Sequence, residues 1–233
     1  NGFGRIGRAA FKIILENNDL EVVAINDLAD NKTLAHLLKF DSVYGIFPHS
    51  AEGDENNIIV DGKSIPCFSE KDPKALPWGE LEVEVVLECT GVFRTAELSK
   101  GHIDAGAKKV LISAPAKDDE VVTLVKGVSD TVSESCDIYS NASCTTNCIA
   151  PLVDVIEKSF GIEKAIMTTI HAYTADQCLV DGPHSDLRRG RSAAQNIIPT
   201  TTGAAIATGK GIPSIQGTFD GMAIRVPVVT GSL

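Results

Sequence analysis

The opening seven residues restrict what the chain can fold into. Asn1-Gly2-Phe3-Gly4-Arg5-Ile6-Gly7 contains a G-x-G-x-x-G pattern, and from Arg5 to Leu15 the residues Ile6, Ala9, Ala10, Ile13 and Ile14 recur at helical spacing. The apolar stretch Glu21 to Asp27 then reads as a buried strand that ends in an acid. A glycine turn, a helix, and a strand closing on a carboxylate about twenty residues past the last glycine match a dinucleotide-binding unit. Gly2 and Gly4 permit the tight turn and let the backbone approach a pyrophosphate, whose charge the helix N-terminus stabilises. Asp27 is placed to reach the adenosine ribose hydroxyls. A carboxylate there repels a 2′-phosphate and no arginine follows closely, so NAD is expected rather than NADP.

The next stretch continues the alternation. Asn31 to Phe40 reads as a helix, Asn57 to Phe68 as a hairpin turning at Asp61-Gly62, and Glu82 to Cys89 as a strand broken at Thr90-Gly91. A helix from about Thr95 to Ala105 and a strand from Lys109 to Ser113 follow. The pattern predicts an α/β fold with a doubly wound, mostly parallel nucleotide-binding sheet, in which ligands lie beyond the carboxyl ends of the strands. Thr90, Gly91 and Ser113 are at such ends and are candidate cofactor contacts. The nucleotide-binding domain is expected over residues 1–143, its first strand missing. An α+β catalytic domain with a mixed or antiparallel sheet is expected over 144–233, incomplete at its C-terminus.

Ser140-Asn141-Ala142-Ser143-Cys144-Thr145-Thr146-Asn147-Cys148 follows a short apparent strand and leads into an amphipathic run, Ile149 to Phe160. A thiol at the start of a helix is drawn towards thiolate by backbone N–H groups and the helix dipole. The same N–H groups stabilise an oxyanion if Cys144 attacks a carbonyl. Further on, Glu163 to Tyr173 reads as a strand carrying His171, followed by Thr174. A poorly periodic segment, about Ala175 to Ile197, holds His184, Arg188, Arg189 and Arg191. Thr200-Thr201-Thr202-Gly203-Ala204-Ala205 opens another helical run, and Gly217 to Val229 reads as a long strand. Arg225 lies inside that otherwise apolar strand and needs a partner, for which a phosphate is well suited. The formal net charge of −10 makes these arginines informative, because an anionic substrate must be met by a local basic cluster.

Together N-G-F-G-R-I-G-R, A-I-N-D, E-C-T-G-V-F, S-A-P, S-N-A-S-C-T-T-N-C, H-A-Y-T-A-D-Q, D-L-R-R-G-R, I-I-P-T-T-T-G-A-A and G-M-A-I-R-V-P resemble the phosphorylating glyceraldehyde-3-phosphate dehydrogenases over the whole chain, in family order. The resemblance implies a Rossmann-like NAD-binding domain, a catalytic domain, and oxidation of D-glyceraldehyde 3-phosphate with NAD and inorganic phosphate. It makes Cys144 the nucleophile and His171 the general base. It assigns Gly2, Gly4, Arg5, Ile6 and Gly7 to the pyrophosphate turn, Asp27 to the ribose, Lys71 to the adenine side, and Thr90 and Ser113 to further cofactor contacts. Thr174 and Arg225 match the pocket for the substrate's own phosphate. Ser143, Thr145, Arg191, Thr202 and Gly203 match positions for the attacking inorganic phosphate and neighbouring substrate groups. Lys71 stands where an arginine is frequent, and Ile206 replaces a common lysine. The resemblance also implies a homotetramer and a chain that is an internal piece of a longer protein.

Composition bounds the rest. No apolar run is long enough to cross a membrane, and the acidity argues against nucleic acid as the primary partner. Six scattered cysteines do not form a disulfide framework, which fits reduced thiols in the cytoplasm. Cys144 and Cys148 lack a second pair of ligands, so no metal site is expected. Three other readings differ in what they leave unused. Erythrose-4-phosphate dehydrogenase shares the nucleophile, a cysteine hydrolase or acyltransferase leaves the glycine turn and Asp27 without purpose, and a non-enzymatic nucleotide-fold binding protein leaves Cys144 and His171 idle.

Overall fold

A computed structural model describes residues 1–129, 131–133 and 135–233. The chain divides into two units, the first comprising Asn1–Val122 with Ser133–Asn141 and the second Thr123–Val132 with Ala142–Leu233.

In the first unit, helix α1 (Arg5–Leu15) follows the glycine turn and buries Phe11 against Phe3 in an edge-to-face contact. The strand Ile25–Asn26 pairs in parallel with Lys63–Phe68, which pairs antiparallel with Asn57–Val60, itself antiparallel to Ala51–Gly53. The hairpin turns at Asp61 and Gly62, both at positive φ (48° and 81°), between Val60 and its partner Lys63. Such a two-residue turn matches the right-handed twist of its strands, and Asp-Gly tolerates it. In a second sheet Val85–Glu88, Lys109–Ile112 and Ile138–Ser140 run parallel. Asn1 and Gly2 lie between the two sets of parallel strands. Gly2 N–H donates to Asn26 (2.8 Å), and Asn1 accepts from Cys89 N–H (2.7 Å). This is the position at which open α/β sheets bind ligands. Helix α2 (Asn31–Lys39) is capped by Asp30 and helix α3 (Ala96–Asp104) by Thr95, each accepting from a first-turn N–H. Leu34, Leu38, Ile58 and Ile65 centre one apolar cluster, and Trp78, Val86, Val110 and Ile112 another. Burial of each such side chain is worth about 1.5–3 kcal/mol.

The expected strand from Glu21 to Asp27 is realised only at Ile25–Asn26. Val22, Val23 and Ala24 instead line a small apolar cavity with Phe11, Ile14 and Val86.

In the second unit, helix α4 (Cys144–Phe160) begins five residues before its amphipathic run, because Ser143 caps it. The strands Ala165–Ala172 and Phe219–Val226 pair in parallel over their whole length, and Ile198–Thr201 joins the latter antiparallel, giving a mixed sheet. The pairing is tight at one glycine. At Gly221, opposite Met167, a Cβ would fall 2.8 Å from the Met167 Cε and 3.0 Å from its carbonyl oxygen. The last strand stops at Val226, ahead of Pro227, which has no N–H to donate. Helix α5 (Ala204–Gly211) follows Thr202-Gly203. The segment 175–197 contains turns and bends but neither helix nor strand. Val153, Ile212 and Ile215 form one cluster of this unit, and Val125, Ala142 and Ala150 another. Among the described residues no helix is long and apolar enough to cross a membrane.

Candidate functional site

The glycine turn builds an anion-ready surface in the first unit. Gly2 adopts φ 86°, and a Cβ there would fall 2.7 Å from Thr90 N. At Gly7 it would fall 2.1 Å from the Gly2 carbonyl oxygen, so any side chain would break the turn. The N-cap of α1 is Gly4, with no side-chain cap and no acid in the first turn. The first N–H groups of the helix are therefore left to a ligand, and the dipole favours a negative one. A cavity of about 450 Å³ opens here, lined among others by Gly2, Gly4, Asp27, Lys71, Thr90 and Val92. The Asp27 carboxylate accepts from Phe3 N–H (2.7 Å) and Ala29 N–H (3.0 Å), which fixes its orientation. The Arg5 guanidinium pairs with Asp41 at 2.6 Å and lies over the Tyr44 ring, so only its backbone faces the turn. The hydrogen bond from Arg5 holds the Asp41 carboxyl well below the usual range. Ile6 is exposed at the start of the same helix. Ser113 donates its N–H to the Glu88 carbonyl. Glycines at a bare helix start, an oriented carboxylate and a lysine around one cavity fit a dinucleotide.

The second unit brings the sulfur and the imidazole together. Ala142 turns the chain at φ 57°, and the Ser143 hydroxyl accepts from Thr146 N–H at 2.9 Å. Cys144 therefore occupies the first position of α4, with its side chain exposed. Its Sγ lies 3.1 Å from His171 Nε2. His171 Nδ1 lies 2.7 Å from the Ala172 carbonyl oxygen, which only accepts, so Nδ1 carries a proton and Nε2 faces the sulfur. The bond to His171 lowers the Cys144 thiol from its ordinary value, against opposing desolvation, and the same bond raises His171. Both directions favour a thiolate–imidazolium pair.

Strand register sets Arg225 directly beside His171. Arg225 Nη1 donates to Thr174 Oγ1 at 2.8 Å, while its buried Nε has no hydrogen-bond partner among the described residues. Cys144, His171, Thr174 and Arg225 thus belong to one constellation. Thr145 is buried, its hydroxyl 3.3 Å from that of Ser232. Thr202 Oγ1 accepts from Ala204 N–H, and Gly203 is the N-cap of α5. Arg191 pairs with Asp181 at 2.9 Å on the surface.

One residue was not evident from the sequence. Ser232 hydrogen-bonds both Thr145 and Thr169 and bridges to His171 through the backbone, yet nothing local in Thr230-Gly231-Ser232-Leu233 marks it. Arg189, one of the arginines noted in the 175–197 segment, clamps Asp176 at 2.8 Å and the Thr200 hydroxyl at 2.8 Å. Among the described residues no group of three or more His, Cys, Asp or Glu is disposed to hold a metal ion.

Comparison with known proteins bears on the whole chain. The family profile "Glyceraldehyde 3-phosphate dehydrogenase, NAD binding domain" matches residues 1–96, and "Glyceraldehyde 3-phosphate dehydrogenase, C-terminal domain" matches 143–233. A glyceraldehyde-3-phosphate dehydrogenase of Mycolicibacterium smegmatis is 55% identical, the alignment covering 100% of this chain and 71% of the relative. Those of Streptomyces coelicolor and Borreliella burgdorferi are each 54% identical over 100% of this chain and cover 70% and 71% of the relatives. On both the matched profiles and this identity, the chain belongs to the glyceraldehyde-3-phosphate dehydrogenase family of NAD-dependent oxidoreductases acting on an aldehyde.

Proposed function

We propose that Cys144 and His171 carry the oxidation and phosphorylation of D-glyceraldehyde 3-phosphate to 1,3-bisphosphoglycerate. The observation that supports this is the 3.1 Å approach of the Cys144 sulfur to His171 Nε2, with the two groups shifted in opposite directions. The thiolate attacks the aldehyde carbon, forming a C–S bond as the C=O π bond opens, and the His171 imidazolium gives its proton to the oxygen, leaving a thiohemiacetal beside a neutral His171. N–H groups at the start of α4 stabilise the oxygen as charge develops on it. His171 takes the hydroxyl proton as the carbon is oxidised, a transfer worth about 10²–10⁴ in rate. NAD, when bound, supplies the hydride acceptor. The thioester left on Cys144 is attacked by an oxygen of inorganic phosphate; the C–S bond breaks and the thiolate is restored.

Thr174 and Arg225 hold the substrate's phosphate, and Ser143, Thr145, Arg191, Thr202 and Gly203 serve the inorganic phosphate and neighbouring groups. Gly2, Gly4, Arg5, Ile6 and Gly7 form the pyrophosphate turn, Asp27 takes the ribose, and Lys71, Thr90 and Ser113 complete the cofactor contacts. The division of labour is a nucleotide domain over 1–143 and a catalytic domain over 144–233. The assembly is a homotetramer, and its compartment is the cytoplasm, a placement with which six free cysteines are consistent.

The test is an assay of the full-length protein with glyceraldehyde 3-phosphate, NAD and phosphate, omitting each in turn. Without phosphate, NADH should appear as a burst of about one equivalent per site and then stop. Cys144→Ser should abolish the burst; sustained turnover by that variant would refute the assignment.

A further inference from the structure

Beneath the dinucleotide cavity lies a buried charge that the chemistry above does not use. Glu88 and His102 are both fully buried. The Glu88 carboxylate has two oxygens, each serving one wall of the cavity. Oε1 accepts from Thr90 N–H at 2.8 Å and from the Thr90 hydroxyl, which in turn accepts from Val92 N–H. Oε2 accepts from the Asn1 side-chain amide at 2.5 Å, and Asn1 Oδ1 accepts from Asn26, which is tied on both its amide atoms to the Glu70 backbone. All four line the cavity, Thr90 and Val92 just past the strand Val85–Glu88, Asn26 and Glu70 at the ends of the paired strands Ile25–Asn26 and Lys63–Phe68.

His102 completes the set. Its Nε2 lies 3.1 Å from Glu88 Oε2, and its Nδ1 lies 3.0 Å from Trp78 Nε1. An indole N–H only donates, so Nδ1 must accept, and the ring proton sits on Nε2, directed at Glu88. Trp78 therefore selects the tautomer that gives the carboxylate its donor. Burial pushes the Glu88 carboxyl up, but the hydrogen bonds from His102, Thr90 and Asn1 outweigh it and leave it below its ordinary value. A buried carboxylate that lost one of these donors would have to relocate or find another proton.

We propose that His102 is a positioning residue for the cofactor: through Glu88, it fixes the two walls of the dinucleotide cavity at the separation that NAD requires. This rests on the reading that the dinucleotide occupies that cavity. His102 meets the cavity lining only from behind, with Asn1 Nδ2 3.4 Å from its Nε2 and the Phe93 ring packed edge-to-face on it, so its effect should be on cofactor affinity rather than on the chemical step.

The experiment measures KM for NAD, KM for the aldehyde, kcat and melting temperature in the full-length protein carrying His102→Phe, His102→Gln, Glu88→Gln or Asp27→Ala. His102→Phe and Glu88→Gln are expected to raise KM for NAD by about tenfold, the scale of one charged hydrogen bond left unmade, with the loss falling on KM rather than kcat. His102→Gln, whose amide can still donate to Glu88, should recover most of the loss. If His102→Phe does not fold, Trp78→Phe removes the indole donor while keeping an aromatic ring in the core and should raise KM for NAD by about threefold. An unchanged KM for NAD in the folded variants, with only the melting temperature lowered, would show a purely structural network and overturn the proposal. Asp27→Ala separates the two failures. If it leaves KM for NAD unchanged, the placement of the cofactor is wrong and the proposal falls with it. If it raises KM for NAD while the His102 and Glu88 variants do not, the proposal alone is wrong.

Discussion

The proton shared by Cys144 and His171 determines how the site responds to pH. The thiol is lowered by the His171 hydrogen bond and the imidazole is raised by the same bond, so the two titrate as a coupled pair. The thiolate is present above the lowered cysteine value and is lost as pH falls through it. Inactivation by iodoacetamide should therefore rise with a midpoint below the value of about 8.5 typical of a free cysteine. His171→Asn removes both the bond and the neighbouring charge, and its midpoint should move up towards that ordinary value. A parent midpoint at or above the variant's would refute the ion pair. Arg225 makes a second residue-scale prediction. Its Nη1 holds Thr174 while its Nε lacks a partner among the described residues, which suits an anion. Arg225→Leu should raise KM for glyceraldehyde 3-phosphate by about 10–100-fold, the scale of a lost charged hydrogen bond, and should leave unphosphorylated glyceraldehyde almost unaffected. Equal effects on both aldehydes would mean that Arg225 does not meet the phosphate.

Among elements, the glycine turn and α1 act as one piece. A Cβ at Gly7 would overlap the Gly2 carbonyl oxygen, a backbone atom that cannot swing aside as a side chain would. Gly7→Ala should therefore abolish measurable NAD binding by calorimetry, and retained affinity would show that the turn is not the pyrophosphate cradle. At the other helix start, Ser143→Ala removes the cap of α4 and should cost about 1 kcal/mol in denaturant unfolding. These elements were legible because their signals are local: a glycine spacing, or Asp61-Gly62 between two apolar runs. The 21–27 strand was over-read because apolar composition marks burial, whereas strand assignment needs a partner, and only Ile25–Asn26 has one. The joining of His171 to Arg225 depends on a register set by two strands about fifty residues apart in sequence. Trp78, His102 and Glu88 meet only through tertiary packing, so no periodicity announces them. Arg191, which the motif places with the phosphate residues, is paired on the surface with Asp181.

For the whole molecule, the surface carries a prediction that neither fold nor site supplies. Phe160 and Ile166 are each 87% exposed and Leu187 is 84% exposed, all in the second unit. Single exposed apolar residues are ordinary, but Leu179, Val180, Ile197 and Ile206 of the same unit are exposed as well. A net charge of −10 gives copies a general repulsion, so association needs apolar burial large enough to overcome it. The homotetramer reading makes these residues the place where that burial occurs. Sedimentation equilibrium of the full-length protein at micromolar concentration should give a particle of four copies. Ile166→Glu would place a carboxylate in the buried contact, at a cost of several kcal/mol unless it is paired, and should shift the particle to a smaller species. The far-ultraviolet dichroism of that variant should stay that of the parent, since Ile166 is exposed within its own copy. A parent that sediments as a monomer, or an Ile166→Glu variant that remains tetrameric, would remove this face from the assembly.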